Sequence, residues 1–205
     1  MPLSSRSVRR RMLTGGLGPA EGGTEANMVL QRLFATRPTR LAGEGLYASA
    51  ARQARRPLFY QGLGVADTGE GRFELYCLHV ALVLIRLKGE GQAAAETGQR
   101  MFDVFIRSLD DALREMGVGD LAVGKKMKKL GEAFYGRVKS YEEALAVPPD
   151  TSVLEALLVR TVLDGAPPGG APALTAYVIR ASDGLRDQKL EQLLEGRVSW
   201  PEPSA

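Results

Sequence analysis

The segment from Phe73 to Leu87 constrains the fold of this chain more than any other. Its apolar residues point to every side of a helix rather than to one face: Phe73, Leu75, Tyr76, Leu78, Val80, Leu82, Val83, Leu84, Ile85 and Leu87. A helix that is apolar all round has to be enclosed by other elements. We therefore expect a helix over about residues 69–88 at the centre of the core. The residues expected to point inward are Phe73, Tyr76, Val80 and Val83.

The same segment is too short to cross a membrane. Its most apolar part, Leu75 to Leu87, is 13 residues long and contains His79 and Arg86, whereas a spanning helix needs about 20 apolar residues. We interpret it as a buried helix of a globular domain.

Two amphipathic helices are predicted between Met101 and Tyr141. In the first, apolar residues recur at three- and four-residue steps: Met101, Phe102, Phe105, Ile106, Leu109, Leu113 and Met116. Gly117 and Gly119 then break the helix, and Asp120 is a suitable N-cap for the next one. The second helix is expected to bury Val123, Met127, Leu130, Phe134, Val138 and Tyr141.

The whole chain reads as all-α, a single-domain bundle of about six helices. No alternating pattern typical of a strand occurs. We predict helices over about 43–56, 69–88, 92–116, 120–147, 152–163 and 173–196, the last interrupted at residues 182–184. Residues 57–68 are predicted to form a loop, with Asp67 and Glu70 as a capping box. Residues 1–40 are expected to be a disordered or extension segment, and 41–198 the helical domain.

Positive charge is concentrated at the N-terminus. The net charge is +3, yet residues 1–60 hold ten arginines and three acidic residues. This asymmetry favours an acidic partner, whether RNA, anionic lipid or an acidic protein surface. The run Arg9-Arg10-Arg11 is not followed by the apolar stretch of a signal peptide. The first twenty residues, which contain Arg and Ser but no acid, are also compatible with a transit peptide. We favour Met28 as the natural start of the protein.

The composition argues against catalytic and metal chemistry. The chain has one histidine, His79, and one cysteine, Cys77, so no His-rich metal site and no CxxC pair can form. We expect no catalytic residues, no metal and no cofactor, and we expect the chain not to be an enzyme. His79 lies in an apolar run and is expected to be a buried, hydrogen-bonded side chain, with haem ligation as the alternative.

The strongest candidate site is a cluster of basic residues early in the second amphipathic helix. Cations are unfavourable there, because a helix is positive at its N-terminus. Because Tyr135 follows the inward Phe134, its side chain is expected to be partly exposed. Its ring is then available to an apolar partner surface while its hydroxyl stays in contact with water. The predicted partner-binding residues are Lys125, Lys126, Lys128, Lys129, Tyr135 and Arg137.

A family resemblance rests on these same residues. The block LREMGVGDLAVGKKMKKLGEAFYGR, from Leu113 to Arg137, resembles the ubiquinol–cytochrome c chaperone family. The resemblance extends upstream through Arg56–Tyr60, Asp67–Phe73 and the pair Leu78-His79. It is well defined from about Leu46 to Leu145.

The resemblance implies a non-enzymatic chaperone that assists assembly of cytochrome b of the bc1 complex. The implied partners are nascent or newly inserted cytochrome b, the ribosome, an anionic membrane surface and, by analogy with mitochondrial members, a small helical partner protein. The expected location is the cytoplasm, peripheral at the inner membrane, or the mitochondrial matrix in a eukaryote. The alternative is a basic helical RNA- or ribosome-binding module without a dedicated client.

Overall fold

The computed structural model describes residues 22–146, 150–164 and 168–204, and the side chains of residues 22–37 and of Pro168 lie outside that description. This part of the chain contains helices and no strand. The helices are α1 (Gly22–Ala54), α2 (Pro57–Gln61), α3 (Gly69–Leu87), α4 (Gln92–Glu115), α5 (Asp120–Leu145), α6 (Ser152–Thr161), a 3-10 helix (Pro168–Gly170), α7 (Ala171–Asp187) and α8 (Leu190–Leu194). The all-α prediction is confirmed, and six of these helices have ten residues or more. The core and the surfaces described below lie within the compact unit that begins at Ala35.

α3 is the central helix, as its all-round apolar sequence predicts. It packs against α4, α5 and α7, and Val80 and Val83 are fully buried. Phe73 and Tyr76 also pack against the core, as expected, but both are only half-buried. Phe73 lies at the edge of the core against Phe105, with 6.5 Å between ring centroids. Tyr76 keeps its hydroxyl at the surface.

α3 begins at a threonine cap rather than at the expected Asp67–Glu70 box. Thr68 Oγ1 accepts a hydrogen bond from the backbone N–H of Gly71 at 3.1 Å, which satisfies one of the unpaired donors of the first turn. Asp67 instead accepts from Arg72 Nε at 2.7 Å. Gly71 is required here, since a Cβ would lie 2.1 Å from the carbonyl oxygen of Ala66.

α4 and α5 form a hairpin with a Schellman-type turn between them. Gly117 has φ +78°, a conformation that glycine adopts without strain, and the N–H of Val118 donates to Leu113 O at 3.0 Å. The expected N-cap, Asp120, is instead the first helical residue, and Gly119 occupies the cap position without a side-chain bond. The Asp120 carboxylate accepts from Arg114 across the turn.

α1 begins at Gly22, well before the expected Gly43. The start was predicted too late, because a regular four-residue apolar spacing is clear in the sequence only from Ala42 onward. From there a stripe at four-residue spacing is buried: Ala42, Leu46, Ala50 and Ala54. The helix ends as predicted before Pro57, where Arg56 is extended with ψ 127°. The expected loop after it contains the short helix α2.

The C-terminal part departs most from expectation. α7 runs through residues 182–184 without the predicted interruption, because Ser182 is buried in the packing of α7 on the core. The break comes at Gln188, whose side chain bonds both backbone groups of Ser199, at 2.7 and 3.0 Å. Residues 195–204 then run back over α1, where Trp200 Nε1 donates to Ser49 Oγ at 3.3 Å.

Candidate partner-binding surface

The predicted lysine cluster lies on the exposed side of α5. Val123 and Phe134 on the opposite side are buried with 1% of their surface exposed. The lysines are all exposed: Lys125, Lys126, Lys128 and Lys129. Lys128 Nζ lies 4.0 Å from Glu132 Oε1, and among the described residues the other three have no carboxylate at ion-pair distance. The cluster therefore presents positive charge to solvent.

Tyr135 is exposed as predicted, with 61% of its surface accessible. Its ring nevertheless leans on Phe102 of α4, with 5.3 Å between centroids. It forms one wall of an apolar groove of about 300 Å³ between α3, α4 and α5. The groove is lined chiefly by Leu84, Leu87, Ala94, Gly98 and Phe102. Tyr135 can thus offer a phenol to a partner from a fixed position.

Arg137 is engaged within the fold. Its guanidinium donates two hydrogen bonds to the carboxylate of Glu74 on α3, and Glu74 is buried. This two-point contact raises the pKa of Arg137 above its ordinary value. Of the six predicted partner-binding residues, Arg137 is the one whose charge is already paired across a helix interface.

Two large apolar side chains are exposed at the end of the α4–α5 hairpin. Leu121 is fully exposed and Met116 is 70% exposed. We call Met116 and Leu121 the apolar tip. Sequence reasoning assigned Met116 to the inner face of α4 and overlooked Leu121. A signal was present, since Leu121 is four residues before Lys125 and therefore on its side of the helix.

A cleft of about 580 Å³ lies between α1, α3 and α4. Its walls are formed by the aromatic residues Tyr47, Tyr76 and Phe105 and by the aliphatic Leu109. Its rim carries the charged residues Arg52, Arg55, Asp111 and Glu115. Arg55 donates to the Tyr76 hydroxyl and lies over its ring, 5.5 Å from the centroid. A cleft of this size accepts a few apolar side chains. Sequence reasoning did not find it, because its walls come from segments far apart in the chain.

His79 is fully buried, and both of its ring nitrogens are hydrogen-bonded. Nδ1 lies 2.7 Å from Leu75 O and Nε2 lies 2.7 Å from the Tyr177 hydroxyl. Because a carbonyl only accepts, Nδ1 carries the proton and Nε2 accepts from Tyr177. The tyrosine oxygen in turn accepts from Gln53 Nε2 at 3.0 Å. Burial lowers the pKa of His79 to about 4.

This network leaves His79 no nitrogen for a metal or a haem iron. Aromatic rings also pack around it, with Phe59 at 5.5 Å and Trp200 at 5.1 Å between centroids. Among the described residues no group of three His, Cys, Asp or Glu side chains is arranged to hold a metal ion. None of the helices in the described part has the length and apolar character needed to span a bilayer.

Comparison with known proteins identifies relatives. The model of a family described as ubiquinol-cytochrome C chaperone matches residues 61–200, which extends the resemblance through α6, α7 and α8. Ubiquinol-cytochrome-c reductase complex assembly factor 1 of Xenopus laevis is 25% identical over 166 residues, covering 78% of this chain and 81% of that protein. The human protein of that name is 26% identical over 166 residues, and the match spans 54% of its length.

A solved structure agrees with the sequence match. The crystal structure of the Cbp3 homolog from Brucella abortus has a TM-score of 0.75 to this fold and 35% sequence identity, covering 87% of this chain and 97% of that one. The segments that carried the resemblance build the fold: Phe59 packs on His79, Thr68 caps α3 and Arg137 pairs with Glu74. On these grounds the chain belongs to the ubiquinol–cytochrome c chaperone family.

Proposed function

We propose that this chain is an assembly chaperone of ubiquinol–cytochrome c reductase and that its client is cytochrome b. The relatives it matches are assembly factors of that complex. The observation that carries the proposal is the family match over residues 61–200. The choice of cytochrome b as the client follows from the family resemblance of the Leu113–Arg137 block.

The cleft between α1, α3 and α4 suits an apolar client segment. Its aromatic walls offer dispersion contacts, and Arg52, Arg55, Asp111 and Glu115 on its rim can bond polar atoms at the ends of such a segment. An amphipathic or apolar helix binds a groove through side chains at three- and four-residue spacing. No chemical step is required, because a chaperone works by covering and releasing a surface.

The lysine cluster and Tyr135 are proposed as a second contact surface, used for docking rather than for holding the client. They lie on α5, whereas the cleft is formed by α1, α3 and α4. Exposed positive charge steers association with acidic surfaces over distances of about a Debye length, roughly 8 Å at physiological salt.

The test is affinity capture of the tagged protein from solubilised membranes of its own cell, with the bound proteins identified. We expect cytochrome b to be recovered with the wild-type chain. Filling the cleft with Ala112→Trp should reduce that recovery, while Ala176→Trp on the exposed side of α7 should not. Recovery of ribosomes without cytochrome b would refute the client and favour the RNA-binding alternative.

A further inference from the structure

The end of the α4–α5 hairpin combines exposed apolar and basic groups. Its apolar tip, Met116 and Leu121, is accessible to solvent by 70% and 100%. Four to eight residues beyond Leu121 along α5 come the four exposed lysines. At a rise of about 1.5 Å per residue, the lysine side chains start roughly 6–12 Å along the helix from Leu121. Exposed apolar side chains next to a basic cluster are typical of interaction surfaces.

The lysines surround the exposed side of the helix instead of forming a single row. At about 100° per residue, the positions from Lys128 round to Lys126 cover an arc of roughly 160°, and Leu121 falls inside that arc. The remaining side of α5 is occupied by Val123 and Phe134, which face the core. The arrangement is an apolar end followed by a partial collar of positive charge.

The hairpin end is held in a fixed shape by its own contacts. Arg114 donates to Asp110 Oδ2 at 2.6 Å and also to Asp120 on the far side of the turn. Gly117 closes α4 in the left-handed conformation. Arg114 offsets part of the charge of Asp110 and Asp120. With Asp111, Glu115 and the four lysines included, residues 110–129 carry a net charge of +1, and the positive side chains lie on α5 beyond Leu121.

We propose that the α4–α5 hairpin docks end-on to an anionic lipid bilayer. Met116 and Leu121 enter the boundary between headgroups and acyl chains, and the lysine collar contacts the lipid phosphates. Long lysine side chains can reach back along the helix to the headgroups while their stems lie in the apolar region. Clusters of four or more basic residues beside an apolar anchor are typical of anionic-lipid binding.

The apolar tip distinguishes a bilayer from the other acidic partners. RNA would engage the lysines through phosphate but would gain nothing from a fully exposed leucine. The docking proposal rests on the proposed function, because it assigns the chaperone a place at the membrane. The cleft lining on α4 ends at Glu115, directly before Met116, so a docked hairpin brings the cleft next to the membrane in which cytochrome b resides.

The experiment is co-sedimentation of the full chain with vesicles of phosphatidylcholine containing about one-third phosphatidylglycerol, and with phosphatidylcholine vesicles alone. We expect binding to the anionic vesicles that weakens as salt rises. Lys125→Glu/Lys126→Glu should weaken it by about tenfold or more, since each basic residue near the surface contributes to binding. Met116→Ser/Leu121→Ser should weaken it by about tenfold as well.

The matched controls remove equal charge or equal apolar surface elsewhere. Arg160→Glu/Lys189→Glu and Leu41→Ser/Val153→Ser should leave vesicle binding unchanged; Leu41 and Val153 are 66% and 54% exposed. Circular dichroism of each variant verifies the fold. A polarity-sensitive dye on Leu121→Cys should report an apolar environment with anionic vesicles, and the buried Cys77 should not compete for the label.

Three outcomes would overturn the proposal. The first is no binding to anionic vesicles. The second is vesicle binding that is unaffected by Met116→Ser/Leu121→Ser. The third is lysine-dependent binding of ribosomal RNA, independent of Leu121, by a chain that ignores vesicles. Each of these outcomes can occur while cytochrome b is still recovered in the capture experiment. The docking proposal can therefore fail while the client proposal holds, and the client proposal can fail while the docking proposal holds.

Discussion

The Nε2 atom of His79 on α3 and the hydroxyl of Tyr177 on α7 lie 2.7 Å apart, although 98 residues separate them. The bond continues through Gln53 of α1, whose amide also donates to Pro201 O at 3.0 Å. Three helices and the C-terminal segment therefore meet at one buried polar chain. In such a chain each group has a fixed donor or acceptor role, and a change of protonation disturbs all of them.

Stability should depend on pH through His79. Its pKa is about 4 in the folded chain against an ordinary 6.5, so between these values the unfolded chain binds a proton that the folded chain does not. The stabilisation present above pH 6.5 is therefore lost as pH falls toward 4, by about 3 kcal/mol at most. Urea unfolding at several pH values measures this loss. Between pH 6.5 and 5, the free energy of unfolding of His79→Gln should depend less steeply on pH than that of the wild type. Equal slopes would contradict the assignment of this pH dependence to His79.

Haem should not bind through His79. Both ring nitrogens are hydrogen-bonded, and the ring is enclosed by Phe59 and Trp200. Titration of the purified chain with haemin should give no Soret shift that depends on His79. A shift that disappears in His79→Gln, with the fold of the variant intact, would show that the network opens to admit a ligand.

Core and surface leucines provide a matched pair for testing the fold. Leu82 is 2% exposed and Leu121 is fully exposed. Leu82→Ala should lower the free energy of unfolding by about 2–5 kcal/mol, because it removes buried methyl groups and leaves a cavity. Leu121→Ala should change it by less than about 0.5 kcal/mol. Equal effects in chemical denaturation would mean that α3 is not the centre of the core.

The Glu74–Arg137 pair should stabilise the packing of α3 on α5. Arg137→Gln leaves a buried carboxylate without its partner and should cost about 1–3 kcal/mol, less than a fully buried pair because Arg137 keeps 26% of its side chain exposed. The double variant Glu74→Gln/Arg137→Gln should cost less than the sum of the single changes. Additive effects, or a loss of partner capture without loss of stability, would instead make Arg137 a surface contact.

The sequence predicted the helices whose apolar pattern is long and regular. α3, α4 and α5 begin and end within about two residues of the expected positions, since periodicity, Gly117 and the flanking loops all point to the same boundaries. Exposure of the lysines and of Tyr135 also follows from spacing along one helix.

Features that depend on distant segments were missed. The cleft joins Tyr47, Tyr76 and Phe105 from three helices, and no local pattern relates them. The same holds for Glu74, which spacing alone does not distinguish from a solvated acid, and for the contact of Trp200 with Ser49. α7 continues through residues 182–184 because tertiary packing outweighs the weak helix propensity of Ser, Asp and Gly.

The lysine cluster should be dispensable for folding and needed for assembly. In Lys125→Glu/Lys126→Glu, the carboxylate introduced at position 125 faces Lys129 one turn on, and both substituted side chains are exposed. The free energy of unfolding should therefore change by less than about 0.5 kcal/mol or rise slightly.

In a strain that depends on this protein, the same variant should lower the amount of assembled bc1 complex, while Arg160→Glu/Lys189→Glu should not. Blue native gels and the reduced-minus-oxidised spectrum of cytochrome b measure that amount. Normal complex levels at normal protein abundance would show that these lysines are only solvated side chains of α5.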